Sequence, residues 1–364
     1  MNPLLQDIRH TPLLWLLVFV PVVLLAAKLK PEGQTLLFVL SVLAIVPLTV
    51  LLSHATESVA AKIGDALGGL LNATLGNLAE LIIALTALRA GQYMLVKASI
   101  AGPIVTNTLF ILGTSFLLGG LRHHEQEYNR VSARMQASLL FIAAVALLIP
   151  SAVSQADSAA QVAFTHRLSL ALALLLMVTY GLSMLFSLKT HRQLFASTAH
   201  TEAAEQPWPM SLALATLAGA TVLVAVVSEI FVESVQKAAA AFGMTPAFVG
   251  FIIVALVGGA SAMPTAFSGA RRNRLDLSVS IALGSASQIA LFVAPALVFL
   301  SYFIGPAPMD LQFWPGAVVM ILIATLITSL VTNTGRSAWF VGVLVLMVYL
   351  IFAMTLYLSP PRLH

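Results

Sequence analysis

Apolar runs of about eighteen residues or more recur along the whole chain, and a chain with so many of them has to fold across a lipid bilayer. Spans are expected at about 12–29, 35–53, 66–88, 94–119, 135–153, 167–188, 211–236, 246–269, 277–304, 313–332 and 338–358. In lipid every backbone polar group must be satisfied internally, so runs of this length are helices. The expected fold class is therefore an all-α polytopic membrane protein with about 11 transmembrane helices. Composition agrees: 59% of residues are hydrophobic and 9% are charged, against roughly 25% charged in soluble domains. Mean hydropathy is +0.98.

The first apolar run has a weak basic flank and no convincing small-x-small cleavage site, so it is read as a retained helix and not a leader. The net charge of +4 sits in loops, without a basic stripe interleaved with aromatics, and no nucleic-acid partner is expected. There are no cysteines, which excludes disulfides, thiolate metal sites and Cys nucleophiles. With the N-terminus inside, eleven Lys and Arg fall on the cytoplasmic side, Arg271, Arg272 and Arg274 among them, against seven outside. This is the positive-inside direction, so a cytoplasmic N-terminus is expected.

One carboxylate interrupts this apolar pattern. Leu75-Gly76-Asn77-Leu78-Ala79-Glu80-Leu81 places Glu80 in the middle of a span. An ionised group at bilayer depth costs about 3 kcal/mol on insertion scales, so its presence is by default functional. The pattern returns as Val257-Gly258-Gly259-Ala260-Ser261-Ala262-Met263, with Gly258 182 positions after Gly76 and Ala262 in the slot of Glu80. Gly102 and Gly284 keep the same 182-residue offset, and so do Leu109-Phe110 and Leu291-Phe292. Five spans lie in each half after the first, and an odd number inverts the second copy. The expected division is a leading helix at 1–34, repeats at 35–190 and 211–364, and a cytoplasmic linker at 191–210. The glycine pairs, with Pro103 and Pro264, are expected to break helices near the bilayer midplane.

Asn77 and Glu80, spaced i and i+3, share a helix face. A carboxylate and an amide carbonyl are hard oxygen donors suited to Ca²⁺, Mg²⁺, Mn²⁺ or Na⁺. They are the expected metal ligands, and the carboxylate can also take a proton. One group that holds either a cation or a proton is the minimal element of an antiporter. Thr106, Asn107, Ser285, Ser287 and Gln288 are uncharged oxygen donors that could complete a cation shell, or else make interhelical hydrogen bonds. Glu57, Glu229 and Glu233, near span ends, are read as entrance acids that would raise the local cation concentration. Asn72-Ala73-Thr74 matches a glycosylation pattern but lies within a span and is set aside. His123-His124 reads as a solvated loop pair. No phosphate-cradling loop or catalytic triad is present, so neither ATP-driven transport nor an enzyme is expected.

The run from Gly68 to Ala84 resembles the first signature of the calcium/proton antiporters, or cation exchangers, of the calcium/cation antiporter group. Ser53-His54-Ala55-Thr56-Glu57, the segment Leu188 to Phe195, and Gly284-Ser285-Ala286-Ser287-Gln288 are similarly family-like. The resemblance runs from about residue 35 to the end. It implies eleven helices, one leading helix plus two inverted five-helix repeats, with Glu80 the first of two central carboxylates. The family's second signature reads Gly-Asn-Ala-Ala-Glu-His, where this chain has Gly258-Gly259-Ala260-Ser261-Ala262-Met263. Gly259, Ala262 and Met263 are thus degenerate site positions. The family's span-four Gly-Ser is Gly102-Pro103 here, and its acidic central loop is reduced to Glu202 and Glu205.

The resemblance implies a secondary-active cation/proton antiporter in a bacterial inner membrane, with no cofactor, the transported cation (Ca²⁺ or another) and protons as substrates, the bilayer as surroundings and a homo-oligomer as a possible assembly. Loss of the second carboxylate leaves two alternatives. One is exchange of a monovalent cation for a proton; the other is a non-transporting sensor or partner on an antiporter scaffold.

Overall fold

The computed structural model describes residues 3–63, 65–153, 159–191 and 207–358. Most of the expected linker, with Arg192, Glu202 and Glu205, and the tail from 359 lie outside the described residues. Among the described residues ten helices are long and apolar enough to cross a membrane. They are α2 (Pro12–Leu29), α3 (Gln34–Lys62), α6 (Tyr93–His123), α7 (Arg130–Val153), α8 (Ala160–Thr190), α9 (Met210–Ala241), α10 (Pro246–Arg271), α11 (Leu275–Ile304), α12 (Pro315–Thr332) and α13 (Trp339–Leu358). A short helix α1 (Pro3–His10) precedes them.

The remaining expected span is two half-helices, α4 (Asp65–Leu75) and α5 (Leu78–Arg89), of 11 and 12 residues. At 1.5 Å per residue neither reaches across about 30 Å of hydrocarbon alone; end to end they do. The break falls at Gly76–Asn77, as expected. Its counterpart in α10 does not break. There the chain only tightens into a 3₁₀ turn at Gly259–Ser261 and continues to Arg271. Pro264, in the first turn after that tightening, has no intrahelical amide bond to lose. Pro103 likewise sits inside a helix without ending it. The helix passes into a π turn at Thr106–Ile111 instead, and α11 has a π turn at Ile289–Val293, close to the same 182-residue offset.

The two copies run in opposite senses. Helix α6 begins where Tyr93 donates to the Ala307 carbonyl (2.6 Å) and Lys97 pairs with Asp310 (2.5 Å), just beyond the end of α11. It ends where His123 Nε2 meets the Arg271 carbonyl (2.9 Å), just before α11 begins. Equivalent helices are therefore antiparallel. The face on which α3 ends and α9 begins is here termed the linker face. There Asp7 of α1 accepts from Trp208 Nε1 (2.8 Å) and lies 3.6 Å from His54 of α3.

Also on the linker face, β1 (Glu125–Glu127) pairs antiparallel with β2 (Arg336–Ala338), joining a loop of the first copy to a loop of the second. Arg336 reaches Glu127 (2.8 Å) and Glu125 (3.9 Å) across this ribbon. Packing is close where α6 crosses α10. A Cβ at Gly102 would lie 2.4 Å from the Phe251 carbonyl oxygen, so only glycine allows the approach. Side chains such as Leu174, Leu175, Met347 and Leu350 point outward, as a lipid-facing surface requires.

Candidate functional site

The α4–α5 break, the tightened turn of α10 and the first half of α11 enclose a cavity of about 320 Å³. Glu80 lines it, with a residue exposure of only 5%. The carboxylate lies against Gly258, where a Cβ would sit 2.7 Å from Glu80 Cγ and 3.0 Å from Oε1. The second copy thus contributes bare backbone at this point, and the acid occupies the space a side chain would take. Ala262 and Gly259 line the same cavity, so the degenerate positions do face Glu80. The Met263 side chain instead packs back toward Gly259, 3.3 Å from where a Cβ there would be.

A continuous hydrogen-bond chain joins the two copies beside the acid. Asn107 Nδ2 donates to Ser285 Oγ (2.9 Å), Ser285 donates to Asn77 Oδ1 (2.9 Å), and Asn77 Nδ2 donates to Gln288 Oε1 (2.7 Å). Four of the seven residues named as possible cation ligands are therefore joined in one chain beside Glu80. Asn77 ends up there because the helix break exposes its side chain at the head of α5. Asn107 arrives through the π turn, whose extra residue per turn rotates it toward α11.

Thr106 is placed differently. Its hydroxyl is 3.3 Å from that of Tyr349 in a fully buried contact with α13, an interhelical bond away from the cavity. The three entrance acids also part company. Glu57 lines the cavity, is exposed and accepts from Ser53 Oγ (3.2 Å), so the cavity opens toward the linker face. Glu229 pairs with Arg89 (3.5 Å) at the opposite face, and the exposed Glu233 does not line the cavity either. Among the described residues no cluster of three or more acids and histidines is poised as a closed metal cage.

Several lining residues escaped the sequence reading: Asn72, Ser261, Thr265 and Ser280. Helical spacing would have found them. Positions 72, 76 and 80 recur every fourth residue, 261 and 265 are four apart, and 277, 280, 284 and 288 recur every third or fourth residue along α11.

A family model described as "Sodium/calcium exchanger protein" matches residues 33–189 and 212–358. The chain is 38% identical over 366 residues to the Ca(2+)/H(+) antiporter of Aphanothece halophytica, covering 97% of this chain and 98% of that one. It is 38% identical over 329 residues to the Ca(2+)/H(+) antiporter ChaA of Bacillus subtilis, covering 89% and 93%. The solved structure of native YfkE superposes with a TM-score of 0.80 at 34% identity, over 94% of this chain and 98% of that one. With the family model matching most of its length and near-full-length relatives on both counts, this chain belongs to the sodium/calcium exchanger protein family.

Proposed function

We propose that this protein is an integral-membrane calcium/proton antiporter in which Glu80 binds cation and proton in alternation. The observation that carries this reading is the burial of Glu80 at the inner end of a cavity open on one face. It stands beside amides and hydroxyls from both copies. Two relatives named Ca(2+)/H(+) antiporter support it. Calcium seeks six to eight oxygens. Glu80, Asn72, Asn77, Ser261, Ser280, Ser285 and Gln288 offer that number, and each hydrogen-bonded amide oxygen retains a second lone pair.

Charge is the harder requirement, because Ala262 leaves one carboxylate at the inner end. Glu57, on the same cavity wall, is the second acid within this reading. Calcium entering past Glu57 displaces the proton from Glu80; the reverse step returns it. Within this reading the positive-inside bias favours a cytoplasmic linker face, and the bacterial antiporter relatives support a place in the inner membrane.

The test is proteoliposome exchange under an imposed pH gradient with a panel of cations. Calcium-dependent proton release is expected from the wild type and absent from a correctly folded Glu80→Gln variant. Exchange of sodium or potassium but not calcium would move the assignment to a monovalent antiporter, the reading that Ala262 alone would favour. Ion binding without any flux would make the chain a sensor.

A further inference from the structure

A second cavity, of about 230 Å³, lies behind the first, between α7, the end of α8 and α11. Its walls are mostly apolar, from Leu139, Phe186 and Leu291 among others, and among the described residues no charged one lines it. Three polar atoms of its lining residues are buried without a hydrogen-bond partner among the described residues: Gln136 Oε1, the Tyr180 hydroxyl and Ser287 Oγ. The Gln136 amide nitrogen is engaged, donating to Ser132 (3.1 Å), which leaves its oxygen as the orphan atom. Ser287 is 7% exposed and lies on a different face of α11 from Ser285, which belongs to the cation cavity. The two cavities share Ser280, Gly284 and Gln288. At Gly284 the partition carries no side chain, and the nearest atom to a Cβ built there would be Gln136 Oε1, at 3.9 Å.

We propose that this chamber holds a small group of waters and gives the cation cavity a proton route separate from the mouth lined by Glu57. The inference rests on the antiport reading above. Orphaned buried donors and acceptors around a space this large are what ordered internal water satisfies. An uncharged, largely apolar wall cannot repay the dehydration of a divalent ion, so calcium is excluded. A proton needs no such site, because it moves by exchange along hydrogen-bonded water. As the Glu80 O–H bond breaks, a new O–H bond forms on a cavity water. The excess proton passes to the chamber waters beside Gln288 and Ser287, and the carboxylate is left anionic for the cation. Nothing is oxidised or reduced.

The absence of cysteine makes the test direct, because any introduced thiol is the only one in the chain. Full-length Ser287→Cys protein in proteoliposomes is treated with a small hydrophilic methanethiosulfonate reagent and, separately, with a lipid-soluble maleimide. Expected are reaction with the hydrophilic reagent and a fall of about tenfold in calcium-coupled proton flux. The calcium concentration giving half-maximal binding should stay the same. Gln136→Leu, which removes the orphan oxygen without any labelling step, should lower the flux in the same way. Reaction with the lipid-soluble reagent alone, or with neither, shows a chamber without water and overturns the proposal. Labelling that leaves proton flux intact in an active protein overturns the route. A wild type that binds calcium but moves no protons overturns the antiport reading itself, and the route with it.

Discussion

Glu80 and Gly258 constrain each other. The acid can be buried where it is only because the facing residue has no side chain, with 2.7 Å between Glu80 Cγ and the place of the missing Cβ. Gly258→Ala should push the carboxylate off its position. The expected result is a fall of about tenfold or more in apparent calcium affinity with normal expression and folding, read from half-saturation of proton release. The neighbouring position carries the opposite prediction. Ala262 lines the cavity without contributing an oxygen, and Met263 offers only a soft thioether. Ala262→Glu should therefore strengthen divalent binding, by about tenfold in half-saturating calcium. If the added acid changes nothing while Glu57→Gln abolishes calcium exchange, Glu57 already supplies the second charge.

At the scale of elements, the helices were legible because a run of some twenty apolar residues has few other fates. The α4–α5 break was legible too, since glycine next to a polar pair mid-span needs a reason. What the residues did not disclose is how each break is realised. Gly258-Gly259 looks as disruptive as Gly76-Asn77, yet α10 stays continuous, because the turn tightens and Pro264 falls where no amide is needed. Thr106 and Asn107 are adjacent and chemically alike as donors. Neighbours on a helix point about 100° apart, and only the packing around them decides that one faces α13 and the other α11. The end-of-span acids were indistinguishable in sequence because which face of a long helix meets the cavity depends on its neighbours. Ser285 tests the joint between copies. It accepts from Asn107 and donates to Asn77, so Ser285→Ala orphans both. A loss of about 1–3 kcal/mol is expected, with a lower midpoint of thermal unfolding in detergent.

The molecule as a whole is open at one end and tied at the other. Opposite the cavity mouth Lys97 and Asp310 form an ion pair only 17% and 22% exposed. Breaking one partner strands the other charge, so Asp310→Asn should cost about 2 kcal/mol after allowance for partial solvation. Lys97→Met in the same protein should recover most of that loss. A double-mutant cycle on unfolding midpoints measures it, and additive losses would show that the pair contributes nothing. The antiparallel arrangement of the copies has a final consequence when joined to the lone acid of the first. If the two copies were chemically equal, exchanging their roles would present the same site to either side of the membrane. Here one copy brings Glu80 and the other Ala262 in the same slot, so the two access states are unlike each other. The gradients alone still fix the direction of net movement, but a transporter built this way should bind its ion with different affinities on its two sides.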